Sequence, residues 1–168
     1  MRVLTTLALC AGFVTTGSAI AQDVPAAVIA RDYLDAYSTM NLTRMSELLS
    51  EDAVFSDRGS FEVEGGPYHY EGREAIIAAL TGFRDQWGLY ALNYDIQMEH
   101  EASGQAVYAA EVEARWRLPD GRDRVWRGDV VTTVRVLDGA VIEHLDMPDY
   151  HGGEMSIEEI TEPAHADQ

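Results

Sequence analysis

Between Tyr90 and Tyr150 apolar and polar residues alternate so regularly that no other stretch constrains the fold as much. Ala106, Tyr108, Ala110, Val112, Ala114, Trp116 and Leu118 alternate with Gln105, Glu111, Glu113, Arg115 and Arg117. A period of two puts the first set on one face of a β-strand and the charges on the other. After Pro119-Asp120-Gly121 the alternation resumes, with Trp126, Val130, Thr132, Val134 and Val136 against Arg127, Asp129, Thr133 and Arg135. The two runs read as a long hairpin. A bare two-residue turn at Asp120-Gly121 would pair apolar positions with charged ones, which predicts a longer loop or a bulge. Asp138-Gly139 then turns the chain into a third strand, Ala140 to Met147, while Leu89 to Glu101 leads into the hairpin with Tyr90, Leu92, Tyr94, Ile96 and Met98 on one face.

An apolar sheet face needs cover, and the preceding residues supply helices. Ile29, Tyr33, Ala36, Tyr37 and Met40 recur at helical spacing after Pro25, which a first helical turn tolerates. Asn41 is placed to cap a second, shorter helix in which Leu42, Met45, Leu48 and Leu49 share a face. Ala53 to Asp57 reads as a short strand, and Arg58 to Gly72, rich in glycine, as a loop or weak hairpin near a pocket mouth. A third helix runs from Glu74 to about Trp87, with Ile76, Leu80, Phe83 and Trp87 on its stripe, and Gly88 ends it. The expected fold class is α+β: three N-terminal helices packed on one face of a curved antiparallel sheet, a cone with a pocket inside.

Three bounds narrow the function. Arg2, an apolar run from Val3 to about Val14 and the small residues Ala19-Ile20-Ala21 form a signal-peptide pattern with the cut after Ala21. Residues 1–21 are thus expected to be removed, 22–151 to form one α+β domain and 152–168 to be a flexible acidic tail, the protein being exported to the periplasm or secreted. Cys10 is the only cysteine and leaves with the signal, which excludes disulfides, thiol nucleophiles and thiolate metal sites from the mature chain. The net charge is −17, and all 12 basic residues are arginine. Such acidity argues against nucleic acid or an anionic membrane as a partner.

Four segments carry a family resemblance: Tyr33-Leu34-Asp35-Ala36-Tyr37, Ser50 to Asp57, Tyr70-Glu71-Gly72-Arg73-Glu74-Ala75-Ile76, and Asp138 to Asp149. Together they resemble the nuclear transport factor 2-like superfamily and, within it, the SnoaL-like proteins. The resemblance implies the cystatin-like, SnoaL-like cone, and its members include ketosteroid isomerases, epoxide hydrolases, polyketide cyclases and proteins that only bind or dimerise. It implies a homodimer through the open sheet face and no cofactor.

Laid against the ketosteroid isomerase pattern, Asp57 falls at the general base and Tyr33 at the tyrosine that donates to the developing enolate oxygen. The family's protonated aspartic acid falls at Thr132. A carboxylate in an apolar cone suits proton removal beside a carbonyl, although Asp57-Arg58-Gly59 also reads as an exposed turn and Tyr33 as core. His144 and Asp146 share a strand face, with Ile142, and together can move a proton or hold a polar ligand group. Asp146 also matches an epoxide hydrolase aspartate and Glu113 falls near the second acid, but Glu111 stands where those enzymes need arginine. Tyr94, Tyr108, Trp116 and Trp126 are expected to line the interior around a small apolar or aromatic ligand, and His69 to close over it. His144, Asp146, Asp149 and His151 match no zinc or iron spacing, so no metal is expected. Two functions remain: a cofactor-independent enzyme with an Asp base, or a ligand-binding or dimerisation module of the same fold.

Overall fold

The computed structural model describes residues 24–63 and 65–159. The expected signal segment and its cleavage point lie outside the described residues, as do 160–168. Helix α1 (Ala26–Ser38) buries Ile29, Ala30, Tyr33, Leu34, Ala36 and Tyr37, the stripe its spacing predicts. Asn41 caps α2 (Leu42–Leu48) by accepting from the Arg44 amide. The chain passes directly into β1 (Leu49–Asp57), which starts four residues earlier than the expected short strand. A 3-10 turn (Arg58–Glu62) and β2 (Tyr68–Glu71) follow, then α3 (Arg73–Asp85). The third helix therefore comes after two strands and not with the other two at the N-terminus.

Helix α3 ends two residues short of Trp87, which is 53% exposed instead of lying on the buried stripe. Gly88 explains the end. Its φ of +79° is left-handed, and a Cβ there would sit 2.4 Å from the Arg117 carbonyl oxygen, so only glycine lets the chain cross the end of the next sheet pair.

Four long strands complete the sheet: β3 (Leu89–Ala102), β4 (Gln105–Arg117), β5 (Asp123–Leu137) and β6 (Ala140–Pro148). A short β7 (Glu154–Glu158) falls in the segment expected to be a flexible tail. The order is β2-β1-β6-β5-β4-β3, with β7 paired to β5 beyond the end of β6. The β4–β5 pairing ends at Arg117 and Asp123, so the hairpin loop spans 118–122, longer than a two-residue turn. The sheet is mixed and not purely antiparallel, because β1 pairs with β6 in parallel. Bulges in β3 move two residues off the expected face: Tyr90 is 38% and Met98 53% exposed, while Leu89 and Leu92 are buried. The core lies between the helices and the concave face, with Tyr33, Leu34, Met45, Ile76, Leu80, Tyr108 and Val134 among its most buried side chains. Among the described residues no helix is long and apolar enough to cross a membrane.

Candidate active site

The parallel pairing of β1 with β6 brings two carboxyl groups side by side. In this register Phe55 lies opposite His144 and Asp57 opposite Asp146, and all four are buried on the concave side. The pairing of β5 with β6 explains how the second acid faces inward. Arg135 pairs with Glu143 but Val136 pairs with Val141, so Ile142 is an extra, bulged residue. The bulge shifts the alternation by one. Val141, fully buried, takes the inward place expected for Ile142, and His144 and Asp146 follow on the same side.

Asp146 is held from three directions. Thr132 Oγ1 donates to its Oδ1 at 2.5 Å and the Tyr37 hydroxyl donates to its Oδ2 at 3.3 Å. His144 Nε2 lies 2.8 Å from Oδ2 but off the line of a good hydrogen bond, so neither ring nitrogen has a directed partner. Because Thr132 commits its only proton to Asp146, the Tyr94 hydroxyl, 3.4 Å away, is the donor in that pair. The His144 ring stacks on Phe55 at 4.5 Å and meets the edges of Tyr37 and Tyr33 at 4.8 and 5.6 Å. The Tyr33 hydroxyl is buried without a hydrogen-bond partner among the described residues. Burial, and then the charge on Asp146, push its pKa well above the ordinary tyrosine value, so it stays a protonated donor.

Asp57 ends β1 and begins the 3-10 turn. Its Oδ1 accepts from the Ser60 amide at 3.1 Å, and its Oδ2 accepts from the Tyr150 hydroxyl. Burial raises its pKa above the ordinary carboxyl value, the Tyr150 hydrogen bond opposes that, and the neighbouring Asp146 raises it further. Two carboxylates at adjacent register positions in an apolar setting ionise together only at a high electrostatic cost.

Tyr150 has no place in the sequence reading. Strands β6 and β7 run along the same edge of β5, interrupted at 149–153 opposite Gly128 and Asp129. The excursion is pinned where the Asp149 amide donates to the Asp129 carbonyl and the Gly153 amide to the Asp149 carbonyl. It carries Tyr150 over Trp126, ring centres 5.5 Å apart, and onto Asp57. The signal was the pair Gly152-Gly153 two residues after Tyr150, and nothing in strand periodicity points to it.

The other expected site residues divide. Tyr94 and Trp126 border the cluster through Thr132 and Tyr150. Tyr108 is fully buried on the same face, but its hydroxyl is acted on by Glu99, Arg31, Asp35 and Glu101, with burial raising its pKa to about 12 and the Arg31 guanidinium 5.3 Å over its ring. The Tyr108 backbone stands in the same cross-strand row as Asp146, pairing with Thr132, which pairs with Asp146, but among the described residues no hydrogen bond joins its hydroxyl to the acid pair. His69 pairs with Ser56, between the inward-facing Tyr68 and Tyr70, so its side chain takes the opposite face, where it contacts Glu71 at 3.3 Å. It closes over nothing on the concave side. Glu113 also faces out, tied to Arg115 at 2.6 Å and to Arg127, which removes it as the second epoxide hydrolase acid. Trp116 lines a separate cleft of about 930 Å³ with Trp87, Leu118, Pro119 and Arg124. Among the described residues no group of three or more His, Cys, Asp or Glu is arranged to hold a metal.

A helix-covered cone of mixed sheet with a polar cluster on its concave wall defines the class of nuclear transport factor 2-like folds. Within that class, the family model for the SnoaL-like domain matches residues 30–144, and the chain belongs to that family. Solved structures agree. A protein of Shewanella putrefaciens CN-32 assigned as a SnoaL-like polyketide cyclase aligns at TM-score 0.64 and 20% identity, over 86% of this chain and 94% of its own. A similarly assigned protein of Shewanella denitrificans OS-217 aligns at TM-score 0.61 and 19% identity, over 75% and 91%. An M. tuberculosis epoxide hydrolase of the LEH-like kind aligns at TM-score 0.57 and 14% identity, over 75% and 84%. At these identities the likeness is one of fold. None of the curated proteins matches the chain.

Proposed function

We propose that this protein is a cofactor-independent enzyme that moves a proton on a small apolar carbonyl compound, with Asp57 as the base. The observation that carries the reading is the pair of buried carboxyl groups at adjacent register positions, each held by hydroxyl donors. Asp146, with Thr132 and Tyr37 donating to it, is the neighbouring acid whose oxygens are already taken up. Asp57, whose pKa is raised, exchanges the proton. As Asp57 takes a proton from the carbon beside the carbonyl, negative charge grows on the carbonyl oxygen. The buried Tyr33 hydroxyl, kept protonated, is the donor for that oxygen. Thr132 has no such role, since its proton is committed to Asp146. Neighbours assigned as polyketide cyclases support carbonyl chemistry, whereas the outward Glu113 argues against epoxide opening.

One observation favours a second reading, a ligand-binding module without chemistry. Asp57 and Asp146 are only 7% and 6% exposed, and Tyr150 already occupies one oxygen of Asp57. Replacing Asp57 by Asn separates the two. The enzyme reading expects Asp57→Asn to abolish turnover of carbonyl substrates found by screening while ligand binding persists. Full turnover in that variant rules the base out.

Export rests on the signal pattern in 1–21 alone. A homodimer is supported by a row on the convex sheet face, Met98-Ala109-Val131-Met147, in register across four strands. A charged row containing Glu111 and Asp129 flanks it directly on one side, and on the other the row of Arg135 and Glu143 lies beyond Val107, Thr133 and Leu145, as a rim surrounds an interface core.

A further inference from the structure

The cleft lined by Trp87 and Trp116 holds a group that the proton-transfer reading does not use. In a chain with 29 acidic and 12 basic residues, arginines are readily paired. Arg124 is not: among the described residues no carboxylate lies within ion-pair distance of it. It pairs with Trp116 across the β4–β5 hairpin, and one period along β5 from it stands Trp126, which faces the concave side. The other charges of the cleft are engaged. Asp85 is held by Arg84 at 2.7 Å, and Arg117 by Asp123 at 2.8 Å with its guanidinium 5.0 Å over the Tyr90 ring.

The walls around Arg124 are aromatic and open. Trp87 is 53% exposed and Trp116 half-buried, an arrangement of large apolar surface that a planar ligand covers. A line of aromatic contacts runs from this cleft to the acid pair: Trp87 touches Phe83 at 5.2 Å, Phe83 touches Tyr68 at 5.2 Å, and Tyr68 pairs with Asp57 across β1–β2. Trp126, two residues along β5 from Arg124, touches Tyr150, whose hydroxyl donates to Asp57.

We infer that the cleft between Trp87 and Trp116 binds a planar aromatic carboxylate, with Arg124 as the specificity-determining residue that takes the carboxylate in its guanidinium fork. A guanidinium recognises a carboxylate through two parallel hydrogen bonds and stacks beside aromatic planes, while a neutral amide of the same shape offers it no charge. The inference deepens the proposed function, on which it rests in one respect: the bound acid's ring system extends along the aromatic walls toward Asp57.

The chain has three tryptophans, Trp87, Trp116 and Trp126, so intrinsic fluorescence reports on this region. The probes are 2-naphthoate and its neutral isostere 2-naphthamide, titrated against the full mature chain. Naphthoate is expected to quench the fluorescence and to bind about tenfold tighter than the amide, the usual scale for a hydrogen-bonded charge. Arg124→Gln is expected to abolish the preference while leaving the thermal midpoint and amide binding unchanged. Equal binding of acid and amide by the parent protein, a preference surviving in Arg124→Gln, or no quenching by either probe at millimolar concentration each overturns the inference. Asp57→Asn separates it from the proton-transfer reading. Naphthoate binding retained in that variant with turnover lost supports both. Turnover lost with no naphthoate binding in the parent sinks only the cleft, and naphthoate binding with turnover intact sinks only the base.

Discussion

At the scale of single residues the proposed chemistry turns on how Asp57 differs from Asp146. Asp146 has two hydroxyl donors and an imidazole nitrogen beside it, whereas Asp57 has one hydroxyl and the amides of its turn. Burial raises the Asp57 pKa, and the sign of its effect on stability follows. The folded state holds this proton more tightly than the unfolded chain, so the contribution is present in full below the ordinary value of 3.8 and is lost as pH rises through the raised folded value. Asp57→Asn, which cannot ionise, is therefore expected to gain stability relative to the parent as pH rises through that window, measured by urea unfolding at a series of pH values. A difference that does not change with pH would mean that Asp57 ionises freely. Tyr150→Phe tests the same group from its partner. The Tyr150 hydrogen bond lowers the Asp57 pKa, so its removal is expected to move the acidic limb of the kcat/KM profile to higher pH. An unmoved limb would leave Tyr150 with a packing role alone.

At the scale of elements two irregularities make the site. The bulge at Ile142 turns His144 and Asp146 inward behind Val141, and the excursion at 149–153 delivers Tyr150. The excursion is seated by close packing: a Cβ on Gly153 would lie 2.4 Å from Trp126 Nε1. Gly153→Ala is expected to cost about 1–3 kcal/mol, the range for overpacking, with a shift in tryptophan emission as the loop lifts. A variant as stable as the parent would show that the loop is loosely held. Strand β7 then ties the end down on the outer face, where Glu158 pairs with Arg127 at 2.7 Å and Arg115 at 3.3 Å. Glu154 to Glu158 does alternate polar with apolar, but five mostly exposed residues are too short a run to mark a strand, and they gain a partner only once β5 is in place.

At the scale of the whole molecule the concave face is closed by helices while the convex face keeps an apolar row. Met98 and Met147 there are 53% and 43% exposed. In the proposed homodimer, Met147→Glu sets like charges against the partner's matching surface, so it is expected to yield monomers in sedimentation with stability otherwise within about 0.5 kcal/mol, the usual range for a surface change. A parent protein that is monomeric at every concentration would remove the dimer. Alternation from Gln105 to Val136 and the helical stripe of α1 were legible in the amino acids, because burial on one face imposes a period of two or of 3.6 residues whatever the neighbours are. Asp57, Tyr33, His144 and Asp146 could also be nominated by type and resemblance. Their meeting could not be read, since it depends on a parallel pairing between strands far apart in the chain and on one extra residue in β6. Trp87, Tyr90 and Met98 kept a regular pattern on paper but left the core, because a helix end and two bulges altered their direction. Local composition thus determined which faces are apolar, and only tertiary structure decided which of those faces, and which acids, turn toward each other.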